Sequence, residues 1–181
     1  MAAIPVSYAG LIALTLLGGP QAVDGERTGS LRGVEPPPVC TGVDQTLPLN
    51  TQYAACAWAA LSAENYREVL NVTSQCLDMF ELQAVRDQEA LTRDEVVTLP
   101  PSVKPDSATK ASILARGVLN DVAACAFIRG QAQEKLGQSA EAIVAYQTVR
   151  RFPDARIWDA RTERFWSPAV AAGDRIERLR S

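Results

Sequence analysis

The chain has 181 residues, a net charge of −3 and 47% apolar residues, which allows one compact domain with a modest hydrophobic core. Its basic residues are scattered, so the sequence lacks the clustered positive charge of a nucleic-acid-binding protein. It contains no histidine, which excludes Ser-His-Asp and Cys-His catalysis and most ligand sets for zinc or haem. We therefore expect no nucleic-acid partner, no metal and no cofactor.

The first 23 residues carry no charged side chain, and residues 8–17 form a strongly apolar run. This composition is typical of a segment directed to a membrane. A cleaved signal peptide normally has Lys or Arg before the apolar run, which is missing here, and the best cleavage site lies near Val23. A retained anchor fits the length of about 20 residues that spans a bilayer. Residues 1–23 are therefore predicted to be a signal peptide or a membrane anchor, so that the domain is exported to a periplasmic or other extracytoplasmic space or is membrane-anchored.

Residues 24–50 are rich in glycine, proline and threonine, and they predict an extended linker. Residues 51–181 then predict an all-α domain. Its first two helices are separated by a short break at residues 62–65, which predicts that they run antiparallel. The prolines of residues 99–105 end the helical pattern of this first half.

The second half of the domain repeats the helical spacing of apolar residues, and we expect one helix over residues 109–136. Gly137 is predicted to end that helix, and Ser139 to cap the next one over residues 140–151. A Ser-Pro pair opens a last helix over residues 167–180. The sequence therefore predicts about five helices.

An internal repeat relates the two halves. The sequence "AACAW" at residues 54–58 recurs as "AACAF" at residues 123–127. The turns that follow also match, since "ENYREVL" from residue 64 aligns with "GQSAEAI" from residue 137. The number of residues between the two copies differs by about one helical turn between these two alignments. We therefore interpret the chain as two related helical hairpins, the first with a shorter first helix.

The second hairpin resembles a tetratricopeptide repeat over residues 123–154, and the first resembles one more loosely over residues 54–80. Small, aromatic and proline residues fall at that family's spacing, namely Gly130, Ala132, Leu136, Gly137, Ala142, Tyr146 and Pro153. The resemblance implies stacked antiparallel hairpins, here with a C-terminal capping helix, and a role in protein binding. The C-terminal tail is also similar to the end of such domains in exported bacterial proteins, some of which are labelled beta-glucanase precursors.

Small residues on a helix stripe allow a second helix to come close. We therefore predict that Gly130, Ala132 and Ala142 are sites of close helix approach. The larger residues Ile128, Leu136 and Tyr146 are predicted to fill the remaining gaps.

The four cysteines, Cys40, Cys56, Cys76 and Cys125, include no C-x-x-C pair for zinc or redox chemistry. Buried thiols are the simplest interpretation. The repeat resemblance places Cys76 and Cys125 in neighbouring elements, so an exported domain offers them as a candidate disulfide.

No catalytic motif is found in the sequence. Acidic residues are plentiful, including Asp78, Glu81, Asp87, Glu89, Asp94 and Glu95, but they lie on predicted helix surfaces and in one loop. Glycoside hydrolysis needs a carboxylate pair across a cleft, and solvated surface charge is the better interpretation here. We therefore predict that the chain is not an enzyme.

The predicted function is a non-catalytic scaffold for protein–protein interaction, as a subunit of an envelope or membrane complex. The alternative is an accessory domain of a carbohydrate-acting, glucanase-like protein. Candidate partner-binding residues are polar positions on the first helix of the second hairpin and two tryptophans, namely Arg116, Asn120, Arg129, Gln133, Trp158 and Trp166. With Phe165, the tryptophans form either a stacking platform for a ligand or a plug at the open end of the helical stack.

Overall fold

The computed structural model describes Cys40 and residues 42–96, 98–101 and 103–181. These residues form six helices and a two-stranded sheet, so the predicted all-α fold class is confirmed with one small addition. In chain order the elements are α1 (Leu49–Ser62), α2 (Tyr66–Arg93), α3 (Ser107–Leu114), α4 (Gly117–Lys135), α5 (Ser139–Val149), β1 (Ile157–Asp159), β2 (Arg164–Trp166) and α6 (Pro168–Arg180). The chain divides into the units Met1–Glu35 and Pro36–Ser181, and every described residue belongs to the second.

The folded unit includes the end of the predicted linker. The side chain of Gln52 in α1 donates hydrogen bonds to the carbonyl oxygens of Gln45 at 3.1 Å and Leu47 at 2.7 Å. A disulfide joins Cys40 to Cys56. The segment before α1 is therefore fastened to that helix. The predicted signal peptide or anchor, residues 1–23, lies outside the described residues.

Helices α1 and α2 pack against one another and are joined by residues 63–65, at the break that the sequence predicts. Glu64 adopts a left-handed backbone conformation with φ of 56°. The Asn65 side chain accepts a hydrogen bond from the backbone N–H of Glu68 and so caps α2. The buried residues between the two helices include Tyr53, Ala57, Val69 and Val72.

Helix α4 occupies the centre of the unit, because it packs against α1, α2, α5 and α6. All of residues 122–128 are buried. Over residues 122–128 the helix has no polar side chain, and neighbouring helices can come close there because most of these side chains are small. This central position explains the run of alanines in the second copy of the repeat.

The prediction of a single helix over residues 109–136 is wrong, since α3 and α4 are separate helices bent by 69° at the break. The Asn120 side chain in α4 donates to the carbonyl oxygen of Ile113 in the last turn of α3, at 2.8 Å. Arg116 at the break donates to Thr98 Oγ1 at 3.1 Å. The Asn120 side chain therefore bonds a carbonyl group at the end of α3, where the helix does not continue. Apolar periodicity does not reveal this contact.

The turn between α4 and α5 differs in detail from the prediction. Gly137 has φ of +73° and ends α4 as expected. Ser139 is the first residue of α5 and not its cap, because Gln138 takes the N-cap position without a side-chain hydrogen bond. Leu136 is 45% exposed beside this turn, so it does not fill the core. Pro153 is also exposed, and the neighbouring Phe152 is buried in its place.

The close approach of α4 and α5 occurs at Gly130. A Cβ atom added there would lie 2.6 Å from a ring carbon of Tyr146. The phenol of Tyr146 donates to Glu134 Oε1 at 2.5 Å, and Arg175 of α6 donates to Glu134 Oε2 at 2.9 Å. Burial raises the pKa of the Tyr146 phenol, and the hydrogen bond to Glu134 adds to this effect. Ala132 and the ring of Tyr146 are fully buried, as is Ala142, so the small residues serve helix packing, whereas membership of the tetratricopeptide family stays a prediction.

The C-terminal segment contains the sheet, which the sequence did not predict. β1 and β2 pair antiparallel, with Trp158 opposite Phe165. Phe165 is buried, and the two rings meet edge to face with centroids 5.0 Å apart. Ser167 then caps α6 through its side chain, with Pro168 as the first helical residue, as predicted.

All four cysteines are paired. Cys76 of α2 and Cys125 of α4 form a disulfide with Cα atoms 6.6 Å apart, and Cys40 pairs with Cys56 at 5.9 Å. The first pairing is the one that the repeat resemblance offered for an exported domain. Disulfides persist in oxidising compartments, so both bonds are compatible with an extracellular location.

Within the described part of the chain, no single helix has the length and apolar character needed to cross a bilayer, although α3 and α4 together meet that test as a bent pair.

Candidate partner-binding groove

A surface groove lies where α2 and α5 both pack on α4. It has a volume of about 260 Å³. Its lining comes from all three helices and consists of Leu77, Arg129, Gln133, Glu141, Val144, Ala145 and Thr148. A second depression of about 420 Å³ shares Leu77 and is lined further by Asp78, Glu81, Leu82, Val85 and Arg151. We call the two together the α2/α5 groove.

The edges of the α2/α5 groove expose large apolar side chains. Leu82 on α2 is 66% exposed and Val144 on α5 is 62% exposed. Single exposed apolar residues are common on protein surfaces. Here, however, one stands on each of the two flanking helices, and partly buried Leu77 lies between the two depressions. The groove therefore offers an apolar contact surface to a second molecule.

Two of the predicted partner-binding residues, Arg129 and Gln133, meet in this groove on successive turns of α4. Gln133 is only 6% exposed, and its Oε1 atom is buried and accepts no hydrogen bond from any described residue. Arg129 donates one long hydrogen bond, 3.4 Å, to the carbonyl oxygen of Leu70. A buried acceptor left without a donor costs about 1–3 kcal/mol. The Oε1 atom has almost no accessible surface, so it lies in the interior behind the groove and is not a contact point for a ligand.

The rim of the α2/α5 groove is charged. Glu81 forms an ion pair with Arg151. Asp78 and Glu141 line the groove and form no ion pair within the described part of the chain. Three carboxylates thus face two guanidinium groups, those of Arg129 and Arg151, and the groove has a slight excess of negative charge.

Two other predicted residues are taken up by the fold. Asn120 is buried at 6% exposure, where it donates to Ile113 and accepts from the backbone N–H of Arg156 at 2.9 Å. Its prediction as an open binding position is therefore corrected. Arg116 is half-buried against Thr98 and the carbonyl oxygen of Asp154. Burial lowers the pKa of Arg116, and the nearby Asp154 carboxylate opposes that shift.

The tryptophans do not form one platform with Phe165. Side chains alternate between the two faces of a strand, so Trp158 and Phe165 share one face and Trp166 lies on the other. Trp166 packs edge to face on Phe127 of α4 at 5.2 Å. The ammonium group of Lys110 lies 3.6 Å from the centre of the Trp158 ring. Trp166 therefore packs on α4, and the choice between a ligand platform and a plug stays a prediction.

A partly buried carboxyl group, missed in the sequence, lies at the junction of α1 and α4. Asp121 Oδ2 accepts hydrogen bonds from Asn50 Nδ2 at 2.6 Å and Thr51 Oγ1 at 2.8 Å. Burial raises the pKa of Asp121, and these two hydrogen bonds oppose the shift. The group borders a cavity of about 190 Å³ together with Trp158. No sequence signal distinguishes Asp121 from the surface carboxylates, because its burial depends on α1.

The described residues contain no group of three or more acidic or cysteine side chains placed to hold a metal ion.

Comparison of the chain with protein families, curated proteins and solved structures finds no match.

Proposed function

We propose that the chain is a non-catalytic protein-interaction scaffold whose α2/α5 groove binds a segment of a partner protein. The observation that carries the proposal is the combination of exposed apolar edges at Leu82 and Val144 with the carboxylates of Asp78 and Glu141, which have no ion-pair partner among the described residues. Apolar area supplies binding energy, and charged groups supply specificity. The stacked helix pairs of a tetratricopeptide domain would give the rigid frame that such a groove needs.

The proposed location is extracytoplasmic, either free or anchored at a membrane. Its support comes from the two disulfides and from the uncharged N-terminal sequence. A domain of this kind suits a subunit of an envelope or membrane complex.

A matched pair of variants tests the proposal. Val144 lies in the groove at 62% exposure, and Val170 on α6 is outside its lining at 63% exposure. A Val144→Asp change places a charge in the apolar contact surface, so we expect it to reduce recovery of the cross-linked partner from the native envelope fraction at least tenfold. Val170→Asp should leave recovery unchanged. Equal recovery with both variants, at wild-type helicity, would remove the groove from the proposal.

A second candidate function is an accessory role in a carbohydrate-acting protein. One observation favours it, a depression of about 580 Å³ in which Trp166 lies beside polar residues such as Asp159 and Arg164. Aromatic faces with neighbouring hydrogen-bonding groups suit sugar rings. Native gels containing a soluble β-glucan test this role, since a binding domain is retarded in them. Migration unaffected by the glucan rules out this candidate.

A further inference from the structure

The outer face of α2 carries an apolar stripe where the helix borders the α2/α5 groove. Met79 is 51% exposed and Leu82 is 66% exposed, and residues three apart on a helix lie on the same face. The other large apolar side chains that are exposed in the described part of the chain stand singly on their helices or in loops. Partly buried Val85 continues the stripe and lines the groove with Leu82. A second molecule that covers α2 around Leu82 therefore removes neighbouring apolar side chains from water.

Two opposite charges flank Leu82 at equal distances along this face. Asp78 precedes Leu82 by four residues and Arg86 follows it by four, so each lies about 6 Å from Leu82 along the helix axis. Both charged side chains are exposed, and neither forms an ion pair within the described part of the chain. The order along α2 is therefore a free carboxylate, an apolar centre and a free guanidinium group.

This order is complementary to itself when two copies of α2 run antiparallel. If the copies cross at Leu82 about a two-fold axis, each residue before Leu82 faces the residue equally far after it in the other copy. Asp78 of each copy then meets Arg86 of the other, and Met79 lies near Val85. A parallel pair would place Asp78 against Asp78 and Arg86 against Arg86, and like charges in contact are unfavourable. The charge pattern therefore selects an antiparallel copy of the same helix.

We infer that the chain forms an antiparallel two-fold dimer through α2, centred on Leu82 and held by two Asp78–Arg86 ion pairs. This inference rests on the proposed function, and it names a second copy of the chain as the partner at the α2 edge of the groove. Farther from the axis, Gln75 of one copy faces Glu89 of the other, so no like charges meet there. Each copy contributes few large apolar side chains, so the dimer is reversible.

Cross-linking of introduced thiols tests the dimer in the full-length oxidised chain, within the cell fraction that contains it. All four native cysteines are paired, so a short thiol-specific bismaleimide reacts with an introduced cysteine only. Leu82→Cys places two thiols side by side at the two-fold axis. We expect about ten times as much cross-linked dimer as with Val170→Cys. Val170 on α6 is the matched control, because it is 63% exposed and lies outside α2.

Charge reversal in the Leu82→Cys background tests the two ion pairs. Asp78→Arg or Arg86→Asp alone sets like charges against each other, so each should lower the cross-linked fraction about fivefold. When the two variants carry different tags and are produced in the same cells, opposite charges face each other again at both positions. Cross-linking between the two tags should therefore return to the level of Leu82→Cys alone. Such recovery would also show that neither variant is misfolded.

Three results would overturn the inference: equal cross-linking of Leu82→Cys and Val170→Cys, charge reversals without effect, or no recovery when the two reversed variants are mixed. The proposed function has its own test in the Val144→Asp and Val170→Asp pair. Partner loss only with Val144→Asp, combined with any of these three results, would leave the scaffold standing with a different partner. Cross-linking at Leu82 with partner recovery that ignores Val144 would support the dimer and remove the α5 edge from the proposed function.

Discussion

The two packed helix pairs, α1–α2 and α4–α5, contain nearly the same five-residue sequence, at residues 54–58 and 123–127. The two copies differ in how deeply their residues are buried. Cys56 in the first copy and Cys125 in the second are each cross-linked to a preceding part of the chain. The aromatic residue that follows differs in burial, because Trp58 is partly exposed and Phe127 is 5% exposed. α1 packs against two helices, α2 and α4, whereas α4 packs against four. Position in the array, more than the repeat sequence, decides how deeply these residues are buried.

Removal of each disulfide is expected to have the largest effect on stability, and the two losses should differ. The Cys76–Cys125 bond closes a longer loop than the Cys40–Cys56 bond, with sequence separations of 49 and 16. Loop entropy predicts a loss of about 4 kcal/mol for Cys76→Ala with Cys125→Ala, and about 3 kcal/mol for Cys40→Ala with Cys56→Ala. Urea unfolding of the oxidised proteins measures both values. A larger loss of stability for the Cys40→Ala, Cys56→Ala variant would show that fastening the segment before α1 stabilises the fold more than the α2–α4 cross-link does.

Gly130→Ala tests the close approach of α4 and α5. The added methyl group meets the Tyr146 ring, which is fully buried and cannot move freely. We expect a loss of about 2 kcal/mol in the free energy of unfolding, after the gain in helix propensity is included. Gly173→Ala in α6 is the control, because its new Cβ meets no atom within 4 Å. It should stabilise the protein by about 0.5 kcal/mol, and equal effects at the two sites would contradict this packing argument.

The buried tyrosines give a finer comparison of the two pairs. Tyr146 donates to a carboxylate at 2.5 Å, whereas Tyr53 of α1 donates to the Gln75 amide at 3.3 Å. Hydrogen bonds to charged groups contribute more, so Tyr146→Phe should cost about 1.5 kcal/mol and Tyr53→Phe about 0.5 kcal/mol. Thermal unfolding of both variants checks the order. A reversed order would mean that Glu134 is held mainly by Arg175.

The smallest expected effect is on the pH dependence of stability, and it concerns Asp121 at the contact between α1 and α4. The pKa of Asp121 is raised above its ordinary value of 3.8 by burial, so its contribution to stability is present below that pH and is lost as the pH rises through the raised pKa. Asp121→Asn removes this dependence. We therefore expect the stability of the variant, relative to wild type, to increase from pH 3.8 towards neutral pH.

Asp106 provides the control of opposite sign. Hydrogen bonds from Thr109 lower the pKa of this exposed N-cap residue of α3. Its contribution is present at neutral pH and is lost as the pH falls through the lowered pKa. Asp106→Asn should therefore lose stability relative to wild type as the pH rises. Urea midpoints between pH 3 and pH 7 compare the two variants, and slopes of the same sign would contradict the assignment.

Much of the helical framework could be predicted from local signals. The turn at residues 63–65, the glycine after α4 and the Ser-Pro start of α6 depend on backbone preferences of the residues present, so they can be read directly. The break between α3 and α4 could not, because apolar periodicity continues across it and the contacts that hold the bend come from distant Thr98 and from Asn120. The sheet was missed for a similar reason, since its strands have three residues each and pair only with one another.

The candidate site was predicted only in part. Arg129 and Gln133 were recognised as polar residues off the apolar stripe, and they do share the groove. Asn120 had the same sequence character and is buried, because α3 bends back over it. Val144 carried no signal, since an exposed valine on α5 cannot be distinguished in sequence from a buried one.

Local sequence established the turn after α1, the end of α4 and the start of α6, and it showed that small side chains on α4 permit close packing, because these features depend on neighbouring residues along the chain. Which polar groups are paired depended on tertiary contacts. The reason is that hydrogen-bond partners of buried groups come from elements far apart in sequence, as Asp121 with Asn50 and Thr51 illustrates. The groove has the same origin, since Leu82 and Val144 border it only because α2 and α5 both pack on α4, a placement that no sequence pattern expresses.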